Sequence, residues 1–237
     1  MKKGLIKSKA RVQQHGEVFT PAAVVERMLD LPGVRAACET LTATFLEPSA
    51  GEGAFLVAIL RRKLAAARRE STSAAAWHQK ALFALTTLYG IELLEDNVEM
   101  LVMNLMEAFR TGYEAGLADF DAAPDPRVTA AARVIIQRNM IQGNALTGVT
   151  GAGEPIVFTQ WRLLPPDAAD LETLCVAVSH HEMDELLAAE EEDAALAPET
   201  EEQVAMDLSA LMPGAAAGAP DERVVPILSI GERASPQ

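Results

Sequence analysis

The sequence predicts an α/β fold built on an open, mostly parallel sheet. Three stretches carry that expectation. TFLEPSAGEGAFL, Thr44 to Leu56, reads as a short apolar strand, an acidic end, a tight glycine turn and the opening of a helix. TLYGIEL, Thr87 to Leu93, is a second strand that ends in Glu92 and runs straight into an amphipathic helix. A third apolar run, in VIIQRNMIQGNAL, places a strand near 139–142, with Gly143 and Asn144 in its closing turn. Strands that alternate with helices pair in parallel.

The chain has 237 residues, of which 49% are apolar, enough for one sizeable domain and a tail. Its net charge of −14 is unevenly placed. Up to Ala145 there are 17 Lys+Arg against 16 Asp+Glu; beyond it there are 3 against 18. The low overall isoelectric point therefore belongs to the C-terminal part and does not exclude a nucleic-acid partner for the front of the chain. Cys38 and Cys175 have no metal-type spacing and form no disulfide framework, which fits a reducing cytoplasm. The basic N-terminus is followed by no apolar signal core, and no apolar run approaches the roughly 18 residues of a membrane span.

Taken in order, residues 1–16 form a basic arm that reads as solvated or as phosphate-contacting. In GEVFTPAAVVERMLDL, Thr20 is a suitable N-cap and Pro21 suits the first helical position, predicting a helix from Pro21 to about Leu31. Val24, Val25, Met28 and Leu29 give it an apolar stripe. Phe19, just before the cap, is either a hydrophobic staple or a ring lining a pocket.

The helix after the glycine turn runs from Gly53 to about Glu70, with Phe55, Leu56, Ile59, Leu60 and Leu64 on its buried face. Its late Arg61, Arg62, Lys63, Arg68 and Arg69 read as a solvated end that suits the helix dipole. A helical segment around Trp77, Leu82, Phe83 and Leu85 precedes the second strand, and Leu94, Val98, Leu101, Leu105 and Phe109 line one face of the helix after it.

PIVFTQWRLLP reads as a fourth strand and LCVAV as another. His180, His181 and Glu182 read as solvated loop residues, and the run Glu190 to Asp193 as a solvated face or a docking strip for a basic partner. The expected organisation is an arm over 1–16, a domain over 17–165, an extension over 166–190, and an acidic, Ala/Pro-rich, largely disordered tail over 191–237.

The chemistry lies at the strand ends. Glu47 and Glu92 close adjacent strands, and in doubly wound sheets a carboxylate at the second position accepts bonds from ribose hydroxyls. Turns 48–53, 92–94 and 143–145 converge on one ligand at the same sheet edge. A dinucleotide loop wants a third glycine, but Leu56 stands there, and Glu92 lies far beyond the usual interval of about 20 residues. No Lys or Arg sits in the loop. These features favour a nucleoside cofactor without phosphates. S-adenosylmethionine fits, with its cationic sulfonium near an acid such as Glu47.

These residues resemble those of the N6-adenine DNA methyltransferases, in the N-terminal half of the modification subunits of restriction–modification systems. GEVFTP looks like the segment that covers the methionine end of the cofactor, which implies contacts from Phe19, Thr20 and Pro21. LEPSAGEGAFL looks like the cofactor loop, implying Glu47, Pro48, Ala50, Gly51, Gly53 and Phe55. YGIELLEDNV places Glu92 and Leu93 at the ribose, and IQGNAL places Asn144, where Asp is usual, and Ala145 near the adenine.

The resemblance covers roughly residues 11 to 162. It implies a Rossmann-like methyltransferase sheet, incomplete here, with double-stranded DNA as partner. It implies no catalytic residue in this chain, because the family's Asn/Asp-Pro-Pro-Tyr/Phe tetrapeptide is missing. The only Pro-Pro, Pro165-Pro166, is flanked by Leu164 and Asp167. A second methyltransferase or specificity chain is therefore expected to supply that motif. Two other readings compete: a non-catalytic assembly subunit of a modification complex, and a methyltransferase for a small molecule or protein.

Overall fold

The computed structural model describes residues 7–15, 17–165, 172–183 and 222–232. Gly16, Pro166, Asp167, the run Glu190 to Asp193 and most of the expected acidic tail lie outside them.

The chain opens with α1 (Lys9–His15), α2 (Ala22–Leu29) and α3 (Pro32–Glu39). The helix expected to continue to Leu31 ends sooner, because Pro32 lacks an N–H and starts a new helix at its N-terminal turn. Thr20 does not cap α2. Pro21 holds the cap position without a side-chain bond, and its carbonyl accepts the Val24 and Val25 N–H groups.

Next come β1 (Phe45–Glu47), α4 (Ala54–Arg69), α5 (Ala74–Thr86), β2 (Leu88–Glu92), α6 (Glu95–Leu117) and α7 (Pro126–Asn139). Then follow β3 (Met140–Asn144), β4 (Val149–Thr150), β5 (Val157–Leu163), β6 (Cys175–Glu182) and β7 (Arg223–Pro226). The third strand extends further than expected: Gly143 and Asn144 lie in it, paired with Thr150 and Val149.

The protein is α/β. A mixed four-stranded sheet has the order β1-β2-β3-β4, with β1, β2 and β3 parallel and β4 antiparallel. β2 is buried along its whole length, as a central parallel strand should be. β1 is only half-buried, and among the described residues no strand pairs with its outer edge.

PIVFTQWRLLP and LCVAV do form strands, but in a second, antiparallel sheet of order β5-β6-β7. Two polar links key that sheet to the first, one direct and one through Asn139 of α7. The Tyr89 hydroxyl donates to Thr159 O at 3.0 Å. The Trp161 indole N–H donates to Asn139 Oδ1 at 2.9 Å, and the Asn139 amide donates to Leu88 O at 3.0 Å. His180, His181 and Glu182 lie in β6 rather than in a loop. Within the span expected to be disordered, 222–232 is ordered: β7 pairs antiparallel with β6, and Val225, Ile227 and Ile230 are buried against the core.

The basic end of α4 is not simply solvated. Arg62 donates to Leu29 O at the end of α2, at 2.8 Å. Lys63, fully buried, donates to Thr40 O and Leu41 O just past α3, at 2.8 and 3.0 Å. Arg68 donates to Gly116 O near the end of α6, at 3.2 Å. Three cations of one helix therefore anchor carbonyls at or just past the ends of three other helices.

Burial pulls the Lys63 ammonium down to about pKa 7. Between that value and its ordinary 10.5, the unfolded chain holds more protons than the folded one, so folding grows more favourable as pH rises through this window. Relative to Lys63→Met, the wild type should gain stability from about pH 7 to about pH 9 in urea unfolding. Parallel pH trends in the two proteins would refute the assignment.

Candidate functional site

The turn after β1 folds as its glycines require. Gly51 and Gly53 have φ values of +54° and +88°, a region in which side chains are strained. Gly53 caps α4. The Ala50 N–H donates to Ile91 O at 2.9 Å, which lays the turn against the end of β2.

Glu92, 6% exposed, closes that strand. Its Oε2 accepts the Gly51 N–H at 2.7 Å. Its Oε1 accepts the Leu94 N–H at 3.0 Å and the Asn97 amide at 3.2 Å. The predicted ribose acid thus faces the predicted glycine turn and also pins the first turn of α6. Three donors occupy a group with about four lone-pair sites, leaving capacity for one more.

Phe19 belongs to the same constellation. Two of its ring carbons stand 3.8 Å from the position a Cβ on Gly51 would take, so its ring lies against the turn. Ala50 is buried beneath, Pro48 and Leu93 are exposed on either side, and Thr20 and Pro21 follow Phe19.

Glu47 and Phe55 form a separate group. With Met28, Leu31, Val34 and Phe45 they line a mainly apolar cavity of about 180 Å³ along the outer side of β1. Burial pushes the Glu47 carboxyl up, opposed by a 3.4 Å bond from the Ser49 N–H. The cavity is smaller than the about 300–1,000 Å³ of a typical ligand pocket, so it can hold only part of a nucleoside cofactor. Asn144 and Ala145 end β3 on the same side of the parallel strands. The Asn144 side chain is committed locally, accepting the Leu146 N–H at 2.9 Å in an Asx turn.

The structure also recruits residues that the sequence reading did not assign. The Asn97 amide, 1% exposed, donates to Glu17 Oε1 at 2.7 Å as well as to Glu92. Arg11 grips both Glu17 oxygens at 2.6 and 2.7 Å and both Asp96 oxygens at 3.0 Å. Lys7 donates to Asn97 Oδ1 at 2.6 Å and pairs with Asp96 at 3.0 Å and Glu52 at 3.3 Å. The Arg11 guanidinium holds the Glu17 and Asp96 carboxyls below the usual carboxylate range. A local signal existed for two of these residues: Asp96 and Asn97 open the helix that follows Glu92, within one turn of it.

Four acids (Glu17, Glu52, Glu92 and Asp96) thus meet two cations, both paired. The excess of carboxylates suits hydroxyl donors and cations better than phosphate. On the second sheet, His181 Nε2 stands 2.9 Å from Ser179 Oγ and 3.1 Å from Gln160 Oε1. Among the described residues, no three His, Cys, Asp or Glu side chains are grouped to hold a metal, and no helix is long and apolar enough to cross a membrane.

No known protein family, curated protein or solved structure matches this chain.

Gly53 gives a test of the turn. An added Cβ would stand 2.5 Å from Leu101 Cδ1 at a φ of +88°. Gly53→Ala should destabilise the fold by roughly 1–3 kcal/mol, lowering the thermal midpoint by several degrees. An unchanged midpoint would show that the turn is not held in this conformation.

Proposed function

We propose that this chain is the S-adenosylmethionine-binding subunit of a DNA adenine-N6 methyltransferase of a restriction–modification system, and that a second chain completes catalysis. The observation that carries the reading is the bond from the Gly51 N–H to Glu92 Oε2, which joins a strand-end acid to the glycine turn of the neighbouring parallel strand. This is where doubly wound sheets hold the ribose of a nucleoside.

The residues present fit the cofactor. The unused acceptor capacity of Glu92 suits one ribose hydroxyl, and a second would displace Gly51 or Asn97. Glu47, half-buried at the end of β1, suits a neighbouring positive charge. Phe19 supplies an apolar wall over the turn. The bound cofactor provides an electrophilic methyl group; this chain's part is to hold and orient it. A phosphate-bearing ligand fits less well, because Glu92 already occupies the Gly51 N–H and acids outnumber cations around it.

The reading extends to a Rossmann-like methyltransferase sheet that is incomplete among the described residues. Three features support a partner. The outer edge of β1 pairs with no strand among the described residues. Because the Phe45 N–H turns inward to Thr87 O, alternation turns the Leu46 N–H outward. Beside that edge lie the apolar cavity and the exposed Met28 and Leu31. Thr44, entering β1, carries the one buried side-chain polar atom without a bond partner among the described residues. A strand added parallel to β1 would have its C-terminal end beside Glu47, where an Asn-Pro-Pro-Tyr-type motif would meet the methyl group.

Calorimetry with S-adenosylmethionine tests the core of the reading. The wild-type chain should bind, alone or with its partner, and Glu92→Ala should weaken binding by about 1–3 kcal/mol. No binding in either setting sinks the proposal. Methyl transfer to double-stranded DNA should require a polypeptide carrying the missing tetrapeptide; transfer by this chain alone would overturn the two-chain reading.

A further inference from the structure

The basic N-terminal segment reads from the sequence as solvated or as a phosphate-binding arm. The structure gives its cations another role. Lys7 and Arg11 are spent on acids of this chain, and those acids surround the candidate ligand turn. Lys7 reaches Glu52 between the two turn glycines and Asp96 in α6, and its Nζ lies 5.8 Å from the centre of the Phe19 ring. Arg11 reaches Glu17, just before Phe19, and Asp96.

One path leads from this arm to the centre of the site. Arg11 binds Glu17 through two nitrogens; Glu17 accepts from the Asn97 amide; the same amide donates to Glu92; and Glu92 holds the Gly51 N–H. Glu17 and Asn97 are both nearly inaccessible, with the Glu17 side chain 7% exposed. Bidentate, charge-assisted bonds of the Arg11–Glu17 kind are strong and directional. A buried amide shared between two carboxylates has little freedom to turn. Without Arg11, two carboxylates would share one amide donor with less countercharge, and Glu17 would be drawn toward water.

We propose that Arg11 is a positioning residue: through Glu17 and Asn97 it fixes the Glu92 carboxylate toward the glycine turn, and with Lys7 it straps the N-terminal helix across the entrance to that turn. The strap makes ligand affinity depend on ion pairs that do not touch the ligand. Arg11 and Asp96 are partly exposed, so salt screens this grip, whereas the contacts of a net-neutral ligand inside the turn are far less sensitive.

The proposal rests on the ligand reading above, and one of its tests does not. The probe is S-adenosylhomocysteine, a net-neutral analogue, titrated into the full chain. Arg11→Met should bind it about tenfold more weakly and release it faster, with the thermal midpoint lowered by only a few degrees. Wild-type affinity should fall several-fold between about 50 mM and about 500 mM salt, and Arg11→Met should show little of that dependence. Arg11→Lys should recover part of the affinity, since it restores charge without the two-nitrogen grip. Equal affinities for wild type and Arg11→Met, or equal salt slopes, would overturn the strap.

If the wild type binds no probe, the cofactor reading has failed, and hydrogen exchange then decides the strap without a ligand. The Gly51 and Leu94 amides, both held by Glu92, should exchange faster in Arg11→Met than in wild type, while core amides of β2 keep their rates. Unchanged rates at Gly51 and Leu94 would refute the positioning role.

Discussion

A single carboxylate joins the parts of this protein that matter most to its candidate site. Glu92 accepts bonds from the turn between β1 and α4 and from the start of α6, and it shares the Asn97 amide donor with Glu17, just after α1. The donors come from two stretches of chain, and removing the acid would leave the Gly51 and Leu94 N–H groups without this partner. Because the group is 6% exposed, water can replace few of these bonds. The position of Glu92 at the end of a fully buried strand makes this arrangement rigid: β2 cannot shift without disturbing the strands on both sides.

The second organising device is α4. It follows the glycine turn, and its later residues stabilise the ends of three other helices through Arg62, Lys63 and Arg68. The turn is thus held on both flanks, by Glu92 on the strand side and by a helix anchored in its surroundings on the other. A ligand that approaches the turn meets a surface whose backbone is already fixed, which lowers the conformational entropy lost on binding. The more yielding elements lie outside: the arm, held by partly exposed ion pairs, and the outer edge of β1, which has no strand beside it among the described residues.

Local chemistry explains which elements were legible in the sequence. The helix after the glycine turn, the long helix after Glu92 and the strand TLYGIEL follow from apolar period, turn glycines and strand-end position. The errors were also local in origin. Thr20 looked like a cap, but Pro21 holds that position, and the helix ends at Leu29, short of Leu31, before Pro32 opens another. Within the candidate site, Phe19, Ala50, Gly51 and Glu92 were named from sequence and come together. Glu17, Asn97 and Arg11 were not named, because nothing in their local pattern says that an arm residue will meet an amide 86 positions later.

The sequence by itself determined the α/β character, the acid at the end of the second strand and the positive-φ turn, since periodicity and glycine stereochemistry act over a few residues. It also showed that the Asn/Asp-Pro-Pro-Tyr/Phe tetrapeptide is absent. Only the tertiary structure decided where PIVFTQWRLLP goes, because sheet membership depends on which strands are available to pair. It pairs with β6 in a separate antiparallel sheet, and β1 keeps an open edge. Only the tertiary structure, too, paired Lys7 and Arg11 with acids around the glycine turn, because charges find partners by distance in space and not along the chain.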